Sequence, residues 1–179
     1  MNWRVFVPYN KDYPKIFELE KQRLLSEISD VVIEHFGSTA VPELGGKGYI
    51  DIYIAVPKRE MKKYLLKAQR HGYEHRPDGD VIGDRFFLKR KIINKRDKDI
   101  TFNLHLTYLK SKNFKACLLF RDYLKKHSED AKKYAREKKI AVKIANKEKD
   151  RKKAVQAYMK SKSAIIKEIS KKIATDKTH

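Results

Sequence analysis

Along this chain the hydrophobic positions alternate between two periods up to about residue 110 and keep only one after it. Ile16, Phe17, Leu19, Leu24, Leu25 and Ile28 follow each other at helical spacing. Asp12 stands where an N-cap belongs, and Pro14 is tolerated in a first turn. This predicts a helix from Tyr13 to Ser29. Val31 to Phe36 is short, β-branched and closed by Gly37-Ser38, which reads as a strand entering a tight turn. Pro42, Gly45, Gly46 and Gly48 make residues 39–48 a loop that needs unusual backbone angles or close backbone approach. From Tyr49 to Val56 the alternation is strict. Ile50, Ile52, Ile54 and Val56 share one face, and Tyr49, Asp51, Tyr53 and Ala55 share the other. A helix from Glu60 to His71 capped by Gly72, a loop over 73–83 and a strand centred on Phe86-Phe87-Leu88 follow. Lys89 to Lys98 reads as a basic, exposed hairpin-like segment. Ile100 to Leu109 then alternates cleanly, with Thr101, Asn103, His105 and Thr107 on its polar face.

From Ser111 onward the strand signal disappears. Phe114, Cys117, Leu118 and Leu124 mark one helix, and Ala131, Tyr134, Ala135, Ala141, Val142 and Ala145 a second. Val155, Tyr158, Met159, Ile165, Ile166 and Ile169 mark a third. The expected architecture is an α/β (α+β) fold. A mixed β-sheet flanked by helices occupies residues 1–110, and a C-terminal helical segment, 111–179, packs on it and closes one side of a cleft, with 171–179 fraying. At 179 residues this is a single domain with room for a sizeable core.

Composition changes this picture in two ways. The single cysteine, Cys117, excludes a disulfide-stapled scaffold or a cysteine-rich zinc module. With no long apolar run at the N-terminus or elsewhere, the expected location is cytoplasmic. The formal charge of +20 is distributed unevenly. Residues 1–88 carry 14 Lys and Arg against 13 Asp and Glu, whereas residues 89–179 carry 29 against 10. A basic half of this kind fits nucleic acid or another polyanion as partner. On composition alone the better fit is a set of long solvated helices decorated with lysine.

Three features could carry chemistry. A Gly37-Ser38 turn followed by Asp51 on the next strand offers backbone amides and a hydroxyl for a phosphate, and beside them a carboxylate for a hard cation such as Mg²⁺. The same spacing also suits an ordinary loop and one strand-face aspartate. Arg121, between Leu118 and Leu124, and Lys162, four residues from Tyr158 and three from Ile165, interrupt apolar stripes. Cations there either extend to solvent or face a polar cleft that receives an anion. His105 is a general base, a metal ligand or a hydrogen-bonded strand histidine. His35 braces the turn, and Cys117, on an apolar stripe, reads as inert core.

The run Ile33-Glu34-His35-Phe36-Gly37-Ser38-Thr39-Ala40-Val41-Pro42, followed by Leu44, Lys47, Ile50-Asp51-Ile52 and Val56, resembles the signature of the GrpB family. In that family an I-E-H-I-G-S-T-x-V-P-G-L segment precedes a K-P-I-I-D-I strand. The likeness continues through Pro8-Tyr9, Tyr13-Pro14, Arg85 to Lys89, Asn103 to Leu106, Phe120 to Leu124 and Tyr158 to Ile166. It implies a nucleotidyltransferase-like fold, in which a Gly-Ser turn holds phosphate and paired acids on the next strand hold metal. This sequence departs from that pattern, because Tyr53 stands where the second acid belongs, and Asn103 and His105 stand on the strand where a third is expected. The resemblance implies an anion pocket of Gly37, Ser38, Lys47, Arg85, Arg121 and Lys162, with Asp51 as metal ligand and Asp51 and His105 as catalytic groups. The expected function is binding of a nucleotide or another phosphorylated small molecule, with Mg²⁺-dependent nucleotidyl transfer as the possible reaction. The other readings are a nucleic-acid-binding module and a degenerate transferase fold serving as a partner in the coenzyme A pathway.

Overall fold

The computed structural model describes residues 5–93 and 99–176. Five strands form one mixed sheet: β1 (Val32–Phe36), β2 (Ile50–Val56), β3 (Glu74–His75), β4 (Phe86–Ile92) and β5 (Ile100–Tyr108). Their order is β1-β2-β5-β4-β3, and all neighbours are antiparallel except the central β2–β5 pair. A central parallel pair is covered on both faces, and β2 shows the consequence. Its isoleucines face α1 (Tyr13–Leu25) and α2 (Met61–Arg70), where they join Phe17, Leu24, Met61, Tyr64, Leu104 and Leu106 in the main core. The face that carries Asp51 is not wet along its whole length. Tyr53 and Ala55 are buried under Phe114 of α3 (Lys112–Lys126).

Several boundaries differ from the sequence expectation. Helix α1 stops at Leu25, and Asp12 makes no side-chain cap. The stretch 73–83 contains the two-residue strand β3 and a 3₁₀ turn at Pro77–Gly79, because an edge of β4 was open for pairing. Strand β4 extends through Lys89, Arg90 and Lys91 to Ile92, so this part of the expected hairpin pairs with β5, while 94–98 lie outside the described residues. Basic side chains there do not prevent a strand, since the ladder is made by backbone groups.

Helix α1 is fixed to the sheet by a buried carboxylate. Glu20, 4% exposed, accepts hydrogen bonds from Arg23 (2.6 and 3.0 Å), Arg90 of β4 (2.7 Å) and the Tyr73 hydroxyl (2.7 Å). Desolvation by burial is outweighed by these hydrogen bonds and the two arginine charges, which hold its carboxyl below the ordinary value.

The helical segment contains α3, α4 (Ser128–Ala145) and α5 (Arg151–Asp176). Val41 and Leu44, from the loop after the Gly-Ser turn, pack with Tyr123, Leu124, Tyr134, Ile165 and Ile169 in a second core. That loop is therefore the joint between sheet and helices. On α5 the buried stripe is Ala154, Tyr158, Ile165 and Ile169. Val155 and Met159, expected in the core, are 37% and 57% exposed, because each lies one residue, about 100° of helix rotation, off that stripe, and Met159 borders the cavity.

Candidate functional site

Strand register brings the sequence-distant polar residues together. Phe36 pairs with Asp51, Asp51 with Asn103 and Asn103 with Lys89, in one row across the sheet. In the next row Tyr53 lies between Glu34 and His105, and His105 pairs with Phe87. Asn103, 9% exposed, donates from its amide nitrogen to Asp51 Oδ1 at 2.8 Å, which orients its own oxygen away from the carboxylate. Asp51 Oδ2 lies against Gly37. A β-carbon at Gly37, which has φ +74°, would collide with that oxygen, so glycine is required there by both backbone angle and space. Burial pushes the Asp51 carboxyl above its ordinary value, although the Asn103 hydrogen bond and Lys47, Lys138 and Lys162 all pull it down.

Around this carboxylate the fold gathers lysines. The Lys47 ammonium lies 5.5 Å and 5.3 Å from the Tyr49 and Tyr158 ring centres, and that of Lys162 lies 5.0 Å and 5.9 Å from Tyr158 and Tyr134. Lys138 was not anticipated from the sequence. It is 6% exposed, 5.5 Å from the Tyr134 ring centre, and donates to the Gly45 carbonyl at 3.1 Å. Gly46 has to lack a side chain, since a β-carbon there would meet Ser38 Oγ and would stand 2.8 Å from Lys138 Nζ. The signal that marks Lys162 also marks Lys138. It interrupts the stripe of Ala131, Tyr134, Ala135, Ala141, Val142 and Ala145 at helical spacing.

These groups line one cavity of about 550 Å³ between the sheet and α3, α4 and α5. Gly37, Ser38, Lys47, Asp51, Arg85, His105, Arg121 and Lys162, the site residues expected from the sequence, all lie on its wall. They do not all present free donors to it. Arg121 donates to Glu34 and the His35 carbonyl, each at 2.7 Å, and to Asp122 at 2.8 and 3.1 Å, which ties α3 to β1. Arg85 donates to the Gly79 carbonyl at 2.9 Å, and its Nε is buried without a partner. His105 is enclosed by Phe36, Tyr53 and Phe87, with ring centres 4.9–5.3 Å away, and its Nδ1 is also buried without a partner. Burial, helped by Arg85, depresses its pKa far below the ordinary histidine value, so it is a neutral imidazole.

His35 stacks on Phe17 and lies 3.0 Å from Thr39 Oγ1, whose hydroxyl donates to the Tyr49 carbonyl. The hydroxyl proton being used, His35 Nε2 must be the donor, and the histidine braces the Gly-Ser turn as its sequence position suggested. The Tyr53 hydroxyl is 3.6 Å from Cys117 Sγ, and burial raises the thiol's pKa, which keeps Cys117 in the unreactive thiol form.

Residues 5–172 match the family described as GrpB protein. The chain belongs to the GrpB family. Over 167 residues it is 32% identical to the UPF0157 protein BH1888 of Halalkalibacterium halodurans, covering 92% of this chain and 79% of that one. It is also 32% identical over 130 residues to the UPF0157 protein YqkA of Bacillus subtilis, covering 71% of this chain but 36% of that longer protein. The crystal structure of conserved protein GrpB from Enterococcus faecalis has the same fold, with a TM-score of 0.77 at 24% identity, and the match covers 98% of this chain and 100% of that one. Among the described residues no helix is long and apolar enough to cross a membrane.

The donor set of this GrpB cavity does not fit a resident Mg²⁺ ion. Among the described residues the one carboxylate lining the cavity, Asp51, has Oδ1 occupied by Asn103 and Oδ2 against Gly37, and three lysines act on it. Tyr53, in the place of a second acid, is packed among Phe36 and Phe114. Among the described residues no cluster of three His, Cys, Asp or Glu side chains is placed to hold a metal.

Proposed function

We propose that this protein binds a nucleotide or another phosphorylated small molecule in the cavity between the sheet and the helical segment. The observation that carries the reading is the convergence of Lys47, Lys138 and Lys162 on a single carboxylate beside the Ser38 hydroxyl and the bare Gly46 backbone. Lysines gathered beside a hydroxyl and backbone amides are the groups that hold a phosphate through charge-assisted hydrogen bonds. The cavity volume is that of a small-molecule site, typically about 300–1,000 Å³. In this reading Asp51 spaces the lysines and is no metal ligand, and binding does not need Mg²⁺. Nucleotidyl transfer through paired metals finds no support in the donor set.

Titration calorimetry on the full chain tests this, with pyrophosphate, sugar phosphates and nucleoside mono-, di- and triphosphates, each with and without Mg²⁺. At least one phosphorylated compound should bind, and Lys162→Met should weaken it about 10-fold or more, the worth of one hydrogen bond to a charged group. Asp51→Asn should leave binding intact or tighten it. No binding by any compound, or loss of binding in Asp51→Asn that follows Mg²⁺, overturns the proposal.

A further inference from the structure

Lys138 is the least expected group in the cavity wall. It sits on an apolar helix stripe, its ammonium is held by one backbone carbonyl, and among the described residues it forms no ion pair within 4.0 Å. The charged and titratable groups acting on it are Lys162, Asp51 and Lys47, with the Tyr134 ring alongside. Two of those three charges are positive. A buried cation in such surroundings is unfavourable, and the neutral amine is favoured instead. Burial, followed by repulsion from Lys162, lowers its pKa to about 7. A desolvated lysine beside other cations is the arrangement that makes an amine nucleophilic at neutral pH. Lys138 and Ser38 both line the cavity, and the missing side chain at Gly46 lets this nitrogen and Ser38 Oγ come close to the loop backbone.

We propose that Lys138 is a reactive amine, and that the cavity takes a phosphorylated aldehyde or ketone whose carbonyl carbon forms an imine with Lys138 while Lys47 and Lys162 hold the phosphate. The proposal rests on the reading of the cavity as a phosphate site. The Nζ lone pair forms the new C–N bond, and the carbonyl π electrons move to oxygen, which takes a proton. The resulting carbinolamine loses the nitrogen proton and its hydroxyl as water, leaving C=N. Amine and carbonyl thus become imine and water, with no change of oxidation state. The proton that oxygen takes is one that the newly bonded nitrogen releases.

The test is reductive trapping on the full chain. One equivalent of dihydroxyacetone phosphate, glyceraldehyde 3-phosphate or pyridoxal 5′-phosphate is added, sodium borohydride reduces any imine to a secondary amine, and peptide mass spectrometry locates the adduct. With at least one probe the adduct should lie on Lys138 in preference to the exposed lysines and should increase between pH 6 and pH 8. It should be about 10-fold weaker with the same carbonyl compound lacking phosphate. Lys138→Arg, which keeps a cation, should lose this adduct while thermal melting reports an intact fold. Labelling spread over surface lysines, or no adduct on Lys138 with any probe, overturns the proposal. Pyrophosphate titration of the same preparation then shows separately whether the phosphate reading stands.

Discussion

At the scale of single residues, the sites of interest are polar groups in apolar surroundings, and each has its own resolution. Arg121 is resolved by Glu34, Asp122 and the His35 carbonyl, and so acts as a brace. Lys138 is resolved by a lowered pKa, which favours the neutral amine. Its pKa of about 7 in the folded state and the ordinary lysine value of 10.5 in the unfolded chain give a definite sign. Between those values the unfolded chain binds a proton that the folded one does not, so stability rises with pH across this window. Lys138→Met should therefore stabilise the protein at pH 7, and the gain should shrink toward pH 10 by on the order of 1.4 kcal/mol per pH unit. Urea unfolding of both chains at pH 7, 8.5 and 10 measures this. Equal gains at pH 7 and 10 would assign Lys138 an ordinary pKa.

Between elements, a few long-range contacts set the geometry. Glu20 links α1 to β4 and to Tyr73 beside β3, and Arg23 and Arg90 are only partly exposed around it. Removing one partner of a buried ion pair leaves the others uncompensated. Glu20→Ala should lower unfolding stability by about 3 kcal/mol, whereas breaking a solvent-exposed pair such as Lys132–Glu129 should change it far less. Denaturant titration checks both. A Glu20→Ala loss below about 1 kcal/mol would mean that the arginines relax into solvent. The strand pattern itself was legible in the sequence. Ile50, Ile52, Ile54 and Val56 had to face a core, and they do. The other face of β2 was not legible, because nothing local to Tyr53 and Ala55 announces that Phe114, some sixty residues later, covers them.

For the whole molecule, the segment after residue 110 is built into the sheet's own packing. The helical segment covers one face of the sheet through Phe114, shares a core with Val41 and Leu44, and supplies Lys138 and Lys162 to a cavity whose floor is the sheet. A chain ending at residue 110 should therefore expose Tyr53 and Ala55 and fail to unfold cooperatively. A sharp thermal transition in that fragment would show that the sheet folds alone. The basic half also reads differently at this scale. Part of its charge is balanced on the helices, as in Lys133–Glu168 and Lys172–Asp130, and part is directed inward. The sequence by itself determined the elements, the Gly-Ser turn, Asp51 and the unusual setting of Lys162, because helix and strand periods and glycine backbone freedom are local properties. Only the tertiary structure decided which cations line the cavity and which are tied up in ion pairs. Charge becomes functional through its surroundings, and the carboxylates, rings and cavity around Arg121, Lys138 and Lys162 come from segments that are distant along the chain.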